Sequence, residues 1–162
     1  MEAFVRPSIV TAACSPDNAA PVPVPPEWVE EGNPQTRSKL IARSRDRNSK
    51  VWVWECTPGR FKWNYDKDET LIVISGEAFI TDEKGAGRRI GAGDIVFFPA
   101  GSSSAWQVTS HIKKVAVLRH SMPPPLGLAV MAWTRVLQML GLLAKSPAIG
   151  GVILFLQDLV AN

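Results

Sequence analysis

The sequence predicts an all-β sandwich or barrel in the middle of the chain, preceded by an extended arm and followed by a helical pair. Three observations carry this. Short stretches between residues 50 and 118 alternate with a period of two. Glycine-containing turns separate those stretches at short, regular intervals. Prolines mark both edges: seven of the thirteen lie before residue 36, and Met122-Pro123-Pro124-Pro125 ends the strand pattern. At 162 residues one domain with some chain to spare is the default. The divisions are an arm over 1–37, a barrel over 38–121 and an apolar tail over 122–162.

Pro7, Pro16, Pro21, Pro23, Pro25, Pro26 and Pro34 rule out a helix interior or a central strand in the arm, because each removes a backbone donor and fixes φ. Its apolar pieces, Ile9-Val10 and Trp28-Val29, are placed to lie along the barrel or along a neighbouring subunit. From about residue 38 short strands take over. Over Lys50–Glu55, Val51 and Val53 alternate with Trp52 and Trp54, and Thr57-Pro58-Gly59 is a turn. Phe61, Trp63 and Tyr65 then share one strand face, with Lys62 and Asn64 on the other. Further strands are expected at 71–74, 77–81, 88–90, 94–98, 105–108 and 112–118. Gly76 reads as the end of a strand at a tight hairpin, and Gly93 and Gly101 as corners needing unusual backbone angles.

Beyond the proline run, Leu126, Ala129, Val130, Trp133, Leu137 and Leu140 fall at helical spacing. Ser146-Pro147 reads as the start of a second helix, an N-cap followed by a proline tolerated at the first helical position. Residues 126–143 approach membrane-span length, but Arg135 near the centre is costly in lipid. The tail is expected to cover its apolar area against protein, on its own barrel or in a dimer, in preference to a membrane surface.

Composition excludes some functions. Hydrophobic residues make up 46% of the chain, enough for a core, and the formal net charge of +3 is modest. The densest basic run, Arg43 to Lys50, includes Asp46 and reads as a solvated loop, so no nucleic-acid partner is expected. Cys14 and Cys56 form no C-x-x-C pair and no metal spacing; one disulfide is open to them, but two unpaired thiols in a reducing cytoplasm are the plainer reading, with Cys56 a buried structural thiol. No apolar run of signal-peptide length follows Met1, and a cytoplasmic location is expected. His111 and His120, the only histidines, flank the last strand as surface residues.

The most informative stretch runs from Gly59 to Trp106. Its first half is Gly59-Arg60-Phe61-Lys62-Trp63-Asn64-Tyr65, then Glu69 and Gly76. Its second is Gly93-Asp94, Phe98-Pro99-Ala100-Gly101, Ser104 and Trp106. This skeleton resembles the two motifs of the cupin superfamily. More narrowly, together with Trp54-Glu55-Cys56-Thr57-Pro58-Gly59, it resembles the cupin-3 branch of small single-domain cupins, which includes ureidoglycine aminohydrolases and the ethanolamine-utilisation cupin. The resemblance implies a double-stranded β-helix, or jelly-roll barrel, a homodimer, and a pocket at one mouth. It does not fix a substrate.

Many cupins hold a metal with two histidines, a glutamate and a third histidine at these motifs. Here Glu69 is the only one retained. The histidine positions fall on Trp63 and Tyr65, or on Lys62 and Asn64 with a gap one longer, and on Ser104. Indole and ammonium are not ligands for a cation, and a usable site needs at least three protein donors. No metal and no cofactor are therefore expected. What remains is an aromatic cup of Trp63, Tyr65, Phe98 and Trp106 around a lone carboxylate, Glu69, with Ser104 as a second polar group. Apolar walls with a few placed polar groups suit a small-molecule ligand. The same aromatics also suit a filled core. Three functions follow: binding of a small polar metabolite without a metal; chemistry on an amide- or amine-containing metabolite, with Glu69 as acid/base and Tyr65 assisting; or an interaction protein working through its tail.

Overall fold

The computed structural model describes residues 8–15 and 17–142. The chain forms two compact units, Met1–Ser121 and Met122–Asn162. Among the described residues the first holds nine antiparallel strands: β1 (Ala20–Pro21), β2 (Val29–Gly32), β3 (Thr36–Arg43), β4 (Ser49–Cys56), β5 (Gly59–Asn64), β6 (Asp68–Asp82), β7 (Gly87–Gly91), β8 (Ile95–Phe98) and β9 (Ser103–Arg119).

The two longest strands, β6 and β9, pair with each other along nearly their whole length. The outer edge of β6 carries β8 on residues 69–72 and β7 on residues 77–81. The outer edge of β9 carries β5 on residues 103–108 and β4 on residues 112–119. β3 adds to β4, β2 to β5 and β1 to β3. The sheet therefore consists of two halves that share β6 and β9. Their inner faces close on each other: Trp54 of one half and Trp106 of the other have ring centroids 6.2 Å apart. Phe61, Leu71, Val73, Ile90 and Ile112 fill the space between them.

The bend between the halves lies at Gly76. The register of β6 shifts between Val73 and Ser75 and again between Gly76 and Ala78. Gly76 has φ +75°, and a Cβ there would lie 1.8 Å from the His111 carbonyl oxygen. This corrects the hairpin expected at Gly76. The strands at 71–74 and 77–81 are one strand carrying a bulge, and those at 105–108 and 112–118 are likewise one strand, β9.

Much of the arm joins the sheet. β1 and β2 are edge strands, where proline costs no ladder hydrogen bond. Between them a 3₁₀ turn over Pro26–Trp28 sets the Trp28 ring edge-on to Trp63, with centroids 5.6 Å apart. Of the two placements expected for Trp28-Val29, it takes the one along its own barrel. Ile9 and Val10 are exposed. No disulfide forms: Cys14 is free and exposed, Cys56 free and buried.

The second unit contains helix α1 (Pro124–Met139), with prolines in its first turn, where the missing N–H costs nothing. It ends in a Schellman arrangement. Gly141 has φ +70°, its N–H donates to the Gln138 carbonyl, and the Leu142 N–H donates to that of Leu137. The second helix expected from Ser146 falls outside the described residues. Among those described, no helix is long and apolar enough to cross a membrane.

Candidate functional site

β9 supplies the polar groups of the barrel interior from both halves. From its first part, Ser104 and Trp106 point inward opposite Trp63 and Phe61 of β5. From its second part, Lys114 points inward opposite Trp54 of β4. β6 contributes Glu69, paired in register with Phe98 of β8 and Leu118 of β9.

Tyr65, just after β5, is fixed by its backbone. Its N–H donates to the Ser102 carbonyl at 2.9 Å, and its own carbonyl accepts from the Gly101 N–H at 2.7 Å. The Asp68 carboxylate accepts from the Ala100 N–H at 3.0 Å. Gly101 makes this corner possible at φ +86°. The Phe98-Pro99-Ala100-Gly101 corner thus clamps the segment that carries Tyr65 and leads into Glu69.

The Tyr65 ring stacks on Phe98 at 4.3 Å. Its hydroxyl lies 2.9 Å from Ser104 Oγ, and the Trp106 indole N–H donates to both oxygens at 3.0 Å. Two hydroxyls and one indole N–H share this triangle. Only one hydroxyl proton is used between the two oxygens, so the other has no acceptor inside it. Burial pushes the Tyr65 hydroxyl well above the usual phenol range, with its hydrogen bonds to Ser104 and Trp106 opposing only part of that shift. Tyr65 is a neutral group here.

The second polar cluster is charged. Lys114 Nζ donates to Glu69 Oε1 at 2.7 Å, with both side chains 6% exposed. The ammonium also lies 4.7 Å from the centre of the Trp54 ring and 4.8 Å from that of Trp106. Each ring face attracts a cation, the more so when water is excluded. Glu69 is therefore not the lone carboxylate expected: its counter-charge comes from outside both motifs. Lys62, by contrast, is exposed and faces Glu30 at 3.5 Å.

Two clefts open at this mouth. A larger one of about 600 Å³ is lined by Trp28, Trp63, Tyr65, Glu69 and residues around Asp66 and Ser102. A smaller one of about 270 Å³ is lined by Trp52, Trp54, Trp63, Glu69 and Lys114 among others. Trp63, Lys67, Glu69 and Leu118 belong to both. Of the six residues expected to form the cup, Trp63, Tyr65 and Glu69 reach these clefts. Trp106 lines neither and is core at 2% exposure. Phe98 and Ser104 line a third cleft, of about 560 Å³, beside Ile80, Arg88 and Val96. Trp28, Trp54 and Lys114 were not expected at the site.

A cupin metal does not fit these residues. Among the described residues no group of three His, Cys, Asp or Glu side chains can hold an ion. The one motif carboxylate already faces an ammonium at 2.7 Å, which would repel a second cation.

The sheet folded into two closed halves is the jelly roll of a cupin domain. The EutQ-like cupin domain profile matches residues 43–116, and the chain belongs to this family of small cupin-domain proteins. No curated protein matches it. Among solved structures, a DUF861-family protein from Thermotoga maritima is 34% identical, over 40% of this chain and 73% of that one, with a TM-score of 0.38. The Clostridium difficile EutQ protein is 20% identical, over 54% of this chain and 69% of that one, with a TM-score of 0.48. A DUF861-family protein of unknown function from Pseudomonas syringae is 24% identical with a TM-score of 0.58. It covers 62% of this chain, which spans only 43% of its length.

Proposed function

We propose that the protein binds a small polar metabolite at the barrel mouth without a tightly bound metal. The observation that carries this reading is the Glu69–Lys114 pair. Two charges are held at 6% exposure, yet both line a cleft open to solvent, between tryptophan walls. A charged pair in a core costs several kcal/mol per ion to desolvate, and hydrophobic residues of the same volume would often serve stability better. Placed charges on an apolar wall are what orients a small ligand.

The test is a thermal-shift and calorimetric screen of the metal-free full chain against small polar metabolites. At least one should raise the melting temperature and bind stoichiometrically, and the charge-neutral double change Glu69→Gln with Lys114→Met, checked for retained fold, should lose that response. A response that appears only after metal loading would overturn the proposal.

A catalytic version has one observation in its favour, the unspent hydroxyl proton of the Tyr65–Ser104 pair. It makes the pair a hydrogen-bond donor to a bound molecule, with Glu69 lining the same cleft as Tyr65 to act as acid or base. Under this version Tyr65→Phe lowers turnover more than it lowers ligand affinity.

A further inference from the structure

We propose that the smaller cleft is an anion subsite, and that it takes the carboxylate of a small organic acid whose apolar body lies against Trp52, Trp54 and Trp63. This rests on the reading of the mouth as a ligand site and specifies the ligand's chemistry. The charge is unevenly divided between the two clefts. The smaller is lined by three lysines, Lys50, Lys67 and Lys114, against one carboxylate, Glu69. The larger is lined by Asp66, Glu69 and Glu83 against Lys67 alone. Trp63 lines both clefts, and the charge at the mouth is divided, net positive in the smaller cleft and net negative in the larger.

The lysines differ in how they are committed. Lys67 is paired with Asp66. Lys114 gives one of its three ammonium donors to Glu69, which along with the two indole faces fixes its position. Lys50 makes no ion pair among the described residues and is half-buried. A carboxylate in this cleft would meet a buried, fixed cation in Lys114 and a half-buried, uncommitted one in Lys50. Partial exclusion of water by the tryptophans strengthens both interactions. Lys114 thus provides the positive charge that a metal provides at the mouth of many cupins, permanently and without a donor set. A cationic ligand is disfavoured here, because it would meet the like charges of Lys50, Lys67 and Lys114, and Lys114 already lies over the Trp54 ring.

The experiment compares three probes of one shape and different charge, benzoate, benzamide and benzylamine, by calorimetry on the full chain at neutral pH. Benzoate should bind at least tenfold more tightly than benzamide, and benzylamine most weakly. Added sodium chloride should erode the benzoate preference. Lys50→Met should reduce benzoate affinity several-fold. Lys114→Met alone leaves Glu69 unpaired and risks misfolding, so the second variant is the charge-neutral double change Glu69→Gln with Lys114→Met. It should abolish the preference for benzoate over benzamide. Tightest binding of benzamide or benzylamine overturns the anion subsite while leaving the mouth as a ligand site. Silence toward all three also overturns it, and the metabolite screen then decides whether the mouth binds anything. Silence there as well overturns the broader function.

Discussion

The barrel interior holds two polar clusters, and they solve the same problem in different ways. The Tyr65–Ser104–Trp106 triangle is neutral, closed by hydrogen bonds of 2.9–3.0 Å, and anchored in the core by Trp106. The Glu69–Lys114 pair is charged, bonded at 2.7 Å, and borders open clefts. Both are satisfied: among the described residues no buried side-chain nitrogen or oxygen lacks a partner. The difference is in what each loses when one member is removed. A neutral triangle missing a hydroxyl keeps two uncharged groups. A charged pair missing one member keeps a bare ion in a poorly solvated place. The first cluster is cheap to perturb and is suited to structure. The second is costly to perturb, and the proposed ligand site is built on it.

The largest expected effect follows directly. Lys114→Met should destabilise the fold by roughly 3–5 kcal/mol, the cost of stranding one partner of a buried pair. The charge-neutral double change, Glu69→Gln with Lys114→Met, should recover most of that loss. Chemical denaturation of the wild type, the two single variants and the double variant gives the coupling directly. If the double variant is as unstable as the sum of the singles, the two charges do not act as a pair and the contrast between the clusters disappears.

The members of the triangle were legible in the sequence as cup residues, their bonding to one another was not, and half of the ion pair was not. Tyr65, Glu69 and Ser104 stand at motif positions, and Gly93 and Gly101, read as corners, have φ of +92° and +86°. Lys114 lies in the stretch 112–118, where Val115 and Val117 on one face are as apolar as Ile112 and Ala116 on the other. Alternation cannot orient such a strand, and a lysine is exposed by default. The same ambiguity hid Trp54, since Val53 on the opposite face is also buried. Gly76 was misread for a different reason. A glycine with positive φ serves a hairpin and a bulge equally well, and here the choice is made by His111, a partner distant in sequence. Trp28 contacts Trp63 only because the arm folds back as an edge strand, and no local pattern encodes that return.

The next effect is set by pH. Tyr65 is the only tyrosine in the chain, so tyrosinate absorbance reports it alone. Burial raises its folded-state pKa above the unfolded value near 10. Burial likewise pushes the Cys56 thiol up, from 9.0 to about 12. Both groups are neutral in the folded state and ionise more easily in the unfolded chain. Their contribution to stability is therefore complete below the unfolded pKa values, and it declines as pH rises toward the folded ones. Alkaline titration should show no tyrosinate signal around pH 10. The signal should instead appear together with loss of tertiary structure. In native protein at pH 8, a thiol reagent should modify Cys14 and spare Cys56 until denaturant is added. Tyrosinate forming near pH 10 in folded protein would mean that the triangle is open to water.

Smaller changes separate buried polar contacts from exposed ones. Tyr65→Phe and Ser104→Ala each remove hydrogen bonds from the neutral triangle and should cost about 1 kcal/mol, within the usual range for such bonds. The loss should fall well short of that for Lys114→Met, since no charge is left behind. At the low end is the Lys62–Glu30 pair, 3.5 Å apart with Lys62 67% exposed. Lys62 is one strand position from Trp63 but faces solvent, where screening and side-chain entropy offset most of the attraction. Lys62→Ala should change stability by less than about 0.5 kcal/mol and leave ligand binding unchanged. A larger effect would mean that charge on the outer face of β5 reaches the mouth, and the division between inner and outer lysines would have to be redrawn.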